Sequence, residues 1–215
     1  MIMNNPDISV IIPVYNHEKF IGRALRSILD QSLIKTKYEV IVINDFSTDN
    51  SKEIISKYSE KISYLENPKN FGLPYSLNIG IKKAKGKYMV RLDSDDYVNK
   101  KYLEFLYEFL NWNDEFDAVS CDYLIVDNEE KIIKRECGEK NPIGCGIMFK
   151  MDRIIDLGLY NPEFLVHEDK ELMMRFLKKY KISNIKLPLY RYRKHLTNIT
   201  NNQNKSKKFL EKVSK

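Results

Sequence analysis

Through the first half of the chain, short apolar runs alternate with amphipathic stretches. Ile8 to Val14 (ISVIIPV) is an apolar run of strand length, and Lys19 to Leu29 then places Phe20, Ile21, Ala24, Leu25, Ile28 and Leu29 on one helical face. Tyr38 to Ile43 (YEVIVI) predicts a second strand, and the helix after it opens at Ser47 or Thr48 and carries Ile54, Ile55 and Tyr58. Ile62 to Leu65 predicts a third strand, Tyr75 to Ala84 a helix, and Tyr88 to Leu92 a fourth strand. Such alternation predicts a parallel sheet with helices on both faces.

The second half has a different pattern. Asn99 to Leu110 predicts a helix that buries Tyr102, Leu103, Leu106, Phe109 and Leu110, and Ala118 to Val126 with Lys131 to Arg135 predicts a hairpin joined at Asp127 to Glu130. Gly144 to Phe149 is expected as a strand, Lys170 to Leu177 as a helix, and Ile185 to Arg193 as an extended segment interrupted by Pro188. Residues 201–215 form a polar, Lys-rich tail.

At 215 residues, with 43% apolar and 31% charged content, the chain can bury a substantial core as a single mixed α/β domain. No apolar run approaches the roughly 20 residues that cross a bilayer, and Ile8 to Val14 lacks the basic flank of a signal peptide, so a cytoplasmic location is expected. Cys121, Cys137 and Cys145 are odd in number and fit no zinc spacing, which marks them as reduced packing residues. The net charge of +6 is compatible with an anionic partner. Lys205, Lys207, Lys208, Lys212 and Lys215 with Phe209, Leu210 and Val213 make the tail a candidate for peripheral contact with an anionic membrane face; a basic module for a membrane surface or nucleic acid is the rival reading, and no nucleic-acid partner is expected.

Ligands of open parallel sheets bind at the carboxyl ends of the strands. Val14-Tyr15-Asn16 follows the first strand, Asn44-Asp45-Phe46-Ser47 the second, and Asp93-Ser94-Asp95-Asp96 the fourth. An aromatic, a carboxylate and a carboxylate cluster thus reach one edge, a set that suits a base, a ribose and a metal-bound diphosphate. Three carboxylates within four positions repel one another, and a hard divalent cation such as Mg²⁺ or Mn²⁺ offsets that repulsion. The competing reading is an acidic turn that caps the helix from Asn99.

The blocks ISVIIPVYN, VINDFSTDNS, NFGLPYSLNIGIKKAKGKYMVRLDSDD, HEDKELMMRF and YRKH, in this order over residues 7 to 200, resemble the family 2 glycosyltransferases, inverting enzymes of the GT-A fold. The resemblance implies a Rossmann-like α/β domain over residues 1–200, its mostly parallel sheet flanked by helices, with a small antiparallel element in the second half. Residues up to about 98 would form the nucleotide-binding half and residues 99–200 the acceptor side, followed by the tail. It also implies a nucleotide-sugar donor, most often a UDP-sugar, a divalent metal, and a hydroxyl acceptor on a glycan or lipid-linked molecule.

By the same resemblance Tyr15 stacks beside the base, with Pro13, Val14 and Asn16 shaping that wall, and Asp45, next to Ser47, bonds the base or ribose. Asp95 ligates the metal. Asp93 shares it or takes a ribose hydroxyl, Ser94 lies between them on the nucleotide side, and Asp96 supports from behind. Asp169 is the base for the acceptor hydroxyl with Glu168 beside it, His195 touches the metal or the phosphates, and Arg191 and Arg193 either pair with phosphates or alternate outward from an edge strand. Gly144 and Gly146 resemble a loop that lets backbone approach the donor sugar.

Three departures stand out. Phe46 replaces a residue that is usually small, Leu77 lies where many members carry Arg, and the QxxRW signature of processive members is absent, which implies single-sugar addition. A metal-dependent nucleotidyltransferase would share the sheet and acids but needs a Gly-rich phosphate loop after the first strand, and no glycine occurs before Gly22.

Overall fold

The structure, a computed structural model, describes residues 5–195 together with 198, so the Lys-rich tail lies outside the described residues. Nine strands form one sheet: β1 (Ile8–Val14), β2 (Tyr38–Asn44), β3 (Ser63–Glu66), β4 (Tyr88–Arg91), β5 (Tyr97–Val98), β6 (Ala118–Val126), β7 (Ile132–Glu136), β8 (Ile147–Lys150) and β9 (Ile182–Arg193). The helices are α1 (Ile21–Leu29), α2 (Ser51–Ser56), α3 (Leu73–Lys83), α4 (Tyr102–Trp112), α5 (Met151–Asp156) and α6 (Glu168–Leu177).

The order β3-β2-β1-β4-β8-β6-β9-β5 divides the sheet as the sequence pattern implies. The first four strands are all parallel. Beyond β4 the pairings are antiparallel to β8, antiparallel from β8 to β6, parallel from β6 to β9 and antiparallel from β9 to β5, and β7 forms a hairpin on β6.

The parallel strands are apolar throughout because both faces are covered. Ile8, Val10, Ile12 and Val14 of β1 join Val40, Val42, Tyr88 and Val90 in a core under α1 and α4, whereas Ile11, Ile41, Ile43 and Met89 point to a second core with α3 and α6. Successive strand residues alternate between faces, so Arg91, two after Met89, points toward α6.

Several boundaries differ from expectation. Residues Gly144–Gly146 form a single 3₁₀ turn and the strand starts only at Ile147. The second helix begins at Ser51, where Asp49 Oδ1 accepts the Ser51 N–H at 3.0 Å. α4 begins at Tyr102 with no side-chain cap, so the acidic turn does not cap it. β9 runs from Ile182 and lies between β6 and β5, which makes it an interior strand. Two elements, β5 and α5, are too short for periodicity to reveal.

β5 has a large effect on shape. Four strand spacings of about 4.8 Å separate β4 from β5 in the sheet order, about 19 Å if flat. Only residues 92–96 connect them, and the Asp96 N–H to Asp93 carbonyl bond of 3.1 Å closes those residues into a turn. The sheet therefore curls until its far edge meets the end of β4, and the acidic turn is the joint.

Gly86 seats β4 beside β1: its N–H donates to Ser9 Oγ at 2.9 Å, and a Cβ there would lie 2.6 Å from the Ser9 backbone nitrogen. Backbone cannot yield cheaply, so Gly86→Ala is expected to lower unfolding free energy by about 1–3 kcal/mol, measured by denaturant titration. An unchanged midpoint would contradict this account of the β1–β4 seam.

Candidate functional site

β1, β2 and β4 deliver their carboxyl ends to one edge, with Val14 opposite Asn44 and Ile11 opposite Arg91. Tyr15, one residue past β1, and Phe46, two past β2, are half-exposed, 46% and 47% accessible. Pro13 and Val14 are buried within β1, so they support the edge from below and do not line it. Asn16 and Ser47 tie the two loops together: Asn16 N–H donates to Ser47 Oγ at 3.0 Å, and Asn16 Oδ1 accepts the Thr48 N–H at 2.8 Å. Asn16 and Phe46 both have left-handed backbone, with φ of 53° and 64°. That conformation suits glycine, which is the physical reason a small residue is favoured at position 46.

Asp45 is only 3% exposed and its carboxylate is occupied. Oδ1 accepts from Asn67 Nδ2 at 2.7 Å and Phe71 N–H at 3.0 Å, and Oδ2 accepts from Gly72 N–H at 2.7 Å. It clamps the loop that enters α3 and fixes Phe71, whose ring stacks on Tyr75 with centroids 4.3 Å apart.

The acidic turn resolves its repulsion by giving each carboxylate a different partner. Asp93 takes two bonds from the buried Arg91, Nε at 2.5 Å and Nη2 at 2.9 Å. Asp95 Oδ2 meets His195 Nε2 at 2.8 Å. Burial works to raise Asp95, yet the His195 hydrogen bond and the charges of His17 and His195 hold it below the usual carboxylate value. Asp96 turns inward, accepting Tyr190 Oη at 2.8 Å and the Arg193 N–H at 2.7 Å, and burial with the neighbouring Asp95 and Asp93 charges pushes it well above the carboxylate range. Asp96 is thus a core anchor between the turn and β9.

Arg193 follows it inward. At 3% exposure it donates Nε to the Asp95 carbonyl at 2.9 Å and Nη2 to Glu130 at 3.2 Å, while Arg191 donates to the Pro188 carbonyl at 2.6 Å. Neither lies on an edge strand facing solvent, because β5 covers β9.

Glu168 and Asp169 open α6 as expected. Arg91 reaches across from β4 and donates Nη1 to Glu168 Oε1 at 2.7 Å, so one guanidinium joins the acidic turn to α6. Asp169, half-buried, accepts the Gly144 N–H at 3.3 Å and the Lys170 N–H at 2.8 Å. A Cβ on Gly144 would lie 2.7 Å from Asp169 Cβ, so glycine is required for this approach.

Two groups of potential ligand atoms occur among the described residues, each within 4.8 Å: His17 with Asp95 and His195, and Asp93 with Asp96 and Cys145. The first fits a divalent cation, because a carboxylate and imidazoles are ordinary ligands for first-row ions. The second does not, since Asp93 is held by Arg91 and burial pushes the Cys145 thiol well up. Asp93 and Asp95, expected to share one metal, thus fall in different groups. Sequence reasoning missed His17, although its place three residues after β1 was a usable signal. Ser94 Oγ lies 2.7 Å from His17 Nδ1.

These features define a GT-A fold with its strand-end site. The sequence pattern of Glycosyl transferase family 2 matches residues 9–153, and the chain belongs to that family. It is 31% identical over 192 residues to an uncharacterized glycosyltransferase of Rickettsia prowazekii, covering 81% of this chain and 59% of that protein. It is 41% identical over 108 residues to the poly(ribitol-phosphate) beta-N-acetylglucosaminyltransferase TarS of Staphylococcus aureus, covering 48% of this chain and 18% of the relative. The crystal structure of S. aureus TarS 1-349 with UDP-GlcNAc superposes with a TM-score of 0.80 at 25% identity, covering 91% of this chain and 61% of that one. A mannosyltransferase from Pyrobaculum calidifontis with GDP-Man and Mn²⁺ shares the fold, with a TM-score of 0.78 at 18% identity, covering 98% and 63%. The chain therefore spans less than two thirds of the length of each of these proteins.

Burial pushes the Glu168 carboxyl up to about 7, with Arg91 pulling the other way. Its value in the fold exceeds that in the unfolded chain, so its stabilising contribution is complete below about pH 4.5 and is lost as pH rises through 7. Glu168→Gln is expected to flatten the decline in stability between these limits, measured as the wild-type minus variant difference in unfolding free energy across pH. Parallel curves would show that Glu168 titrates normally.

Proposed function

We propose that this chain forms a metal-dependent inverting glycosyltransferase that moves one sugar from a nucleotide-sugar, with a UDP-sugar as the leading candidate, to a hydroxyl of a glycan or lipid-linked acceptor. The observation that carries the reading is the joining, through Arg91, of the acidic turn to the Glu168–Asp169 helix start, at the edge where β1, β2 and β4 end. Family membership and the UDP-GlcNAc bound by the S. aureus structure support the donor class.

Tyr15 and Phe46 offer exposed faces on which a base can stack, and the Asp45 clamp holds the adjoining loop in place. Asp95 and His195 would hold the cation, which, when bound, neutralises charge on the departing diphosphate. Asp169 accepts the proton of the acceptor hydroxyl as its oxygen bonds to the anomeric carbon and the bond to the diphosphate breaks. Asp169 suits this better than Glu168, which is 5% exposed and bound to Arg91. The Gly144 N–H fixes one carboxylate oxygen and leaves lone pairs for a hydroxyl.

Glycan assembly at a membrane face is consistent with such an acceptor. No helix among the described residues is long and apolar enough to cross a membrane, and peripheral contact through residues 201–215 is part of the proposal.

Asp95→Ala is expected to abolish metal-dependent UDP binding by calorimetry. Asp169→Asn should retain UDP binding and lose at least about 100-fold in transfer, the scale of general base catalysis. Transfer by Asp169→Asn at the wild-type rate would overturn the base assignment. Gly144→Ala should displace Asp169, lowering turnover with UDP affinity unchanged, and equal loss of both would place Gly144 on the donor side.

A further inference from the structure

His17 comes from the loop after β1, Asp95 from the turn after β4, and His195 from the two residues after β9. Their candidate ligand atoms lie within 4.8 Å of one another although His17 and His195 are 178 positions apart in the chain. Two metal–ligand bonds of about 2.1 Å reach about 4.2 Å end to end, so only small side-chain rotations separate this arrangement from simultaneous ligation.

The two rings are held in place from several sides. His17 N–H donates to Ser51 Oγ at 3.0 Å, and its ring Nδ1 lies 2.7 Å from Ser94 Oγ. Phe20 stacks on the His195 ring with centroids 4.9 Å apart, and the His17 ring stands edge-on to both at 6.0 and 6.1 Å. In the tautomer that carries its proton on Nδ1, His17 donates to the Ser94 oxygen and keeps the Nε2 lone pair for a cation, the arrangement by which an outer hydrogen bond fixes a ligating imidazole.

Resting on the metal reading above, we propose that His17 is a third protein ligand of the cation. Asp95, His195 and His17 then supply one carboxylate and two imidazoles, and the site prefers Mn²⁺ or another first-row transition ion to Mg²⁺. Oxygen-only sets suit Mg²⁺, whereas each imidazole shifts preference toward the transition series. His17 thereby selects the metal as well as helping to hold it.

The test is pulsed electron paramagnetic resonance of Mn²⁺ added to the full chain with UDP, reading nitrogen modulation, beside calorimetric Mn²⁺ and Mg²⁺ affinities. Wild type should give the modulation of two imidazoles, and His17→Ala that of one. Loss of this ligand should weaken Mn²⁺ at least about tenfold and Mg²⁺ by less than about threefold. Unfolding curves without metal confirm that the variant folds, and the wild-type spectrum stands independently of it. A single imidazole in wild type, or two persisting in His17→Ala, overturns the role of His17 and leaves the metal reading intact. Failure of wild type to bind Mn²⁺ overturns both.

Discussion

The structure depends on how three aspartates can leave one buried strand within four residues. Coulomb repulsion at such spacing is costly wherever water is excluded. The fold separates the three charges by chemistry: a guanidinium for Asp93, an imidazole for Asp95, and burial against Tyr190 and the Arg193 N–H for Asp96. Arg91 comes from β4 itself and the other partners from the end of β9 and the residues just after it, so satisfying the turn also draws the β9 end to the site.

The consequences reach outward from this joint. Asp96 draws β9 to the turn, β5 pairs with β9, and the sheet curls, so that residues beyond β9 arrive beside those beyond β1. Arg91 spans the other direction, holding Asp93 with one side of its guanidinium and Glu168 with the other. An unpaired charge at this depth would cost several kcal/mol, so the three groups are coupled and removing one exposes the others. Coupling of this kind gives the strand-end edge and the α6 carboxylates a common rigid frame.

Much of this was legible in the sequence, for reasons that can be stated residue by residue. The parallel half follows from apolar runs that feed two cores. The blocks after β1, β2 and β4 marked the edge, and HEDKEL marked the α6 start. The fates of Asp96, Arg191 and Arg193 were not legible, because they depend on β5, a two-residue strand with no periodic signature. Pro13 and Val14 were assigned to the wall although a strand buried on both faces keeps them inside. His17 offered one signal, its place three residues after β1, but its relation to Asp95 and His195 appears only after the sheet curls.

In the proposed function Asp95, and not the Arg91-bound Asp93, presents the carboxylate that meets the donor's cation. A crystal structure with UDP and Mn²⁺, with the ion located by its anomalous scattering, tests it most directly. The ion is expected bonded to Asp95 and the UDP diphosphate while Arg91 still bridges Asp93 and Glu168. An ion bonded to Asp93 with that bridge broken, or a diphosphate bound away from this edge, would contradict it.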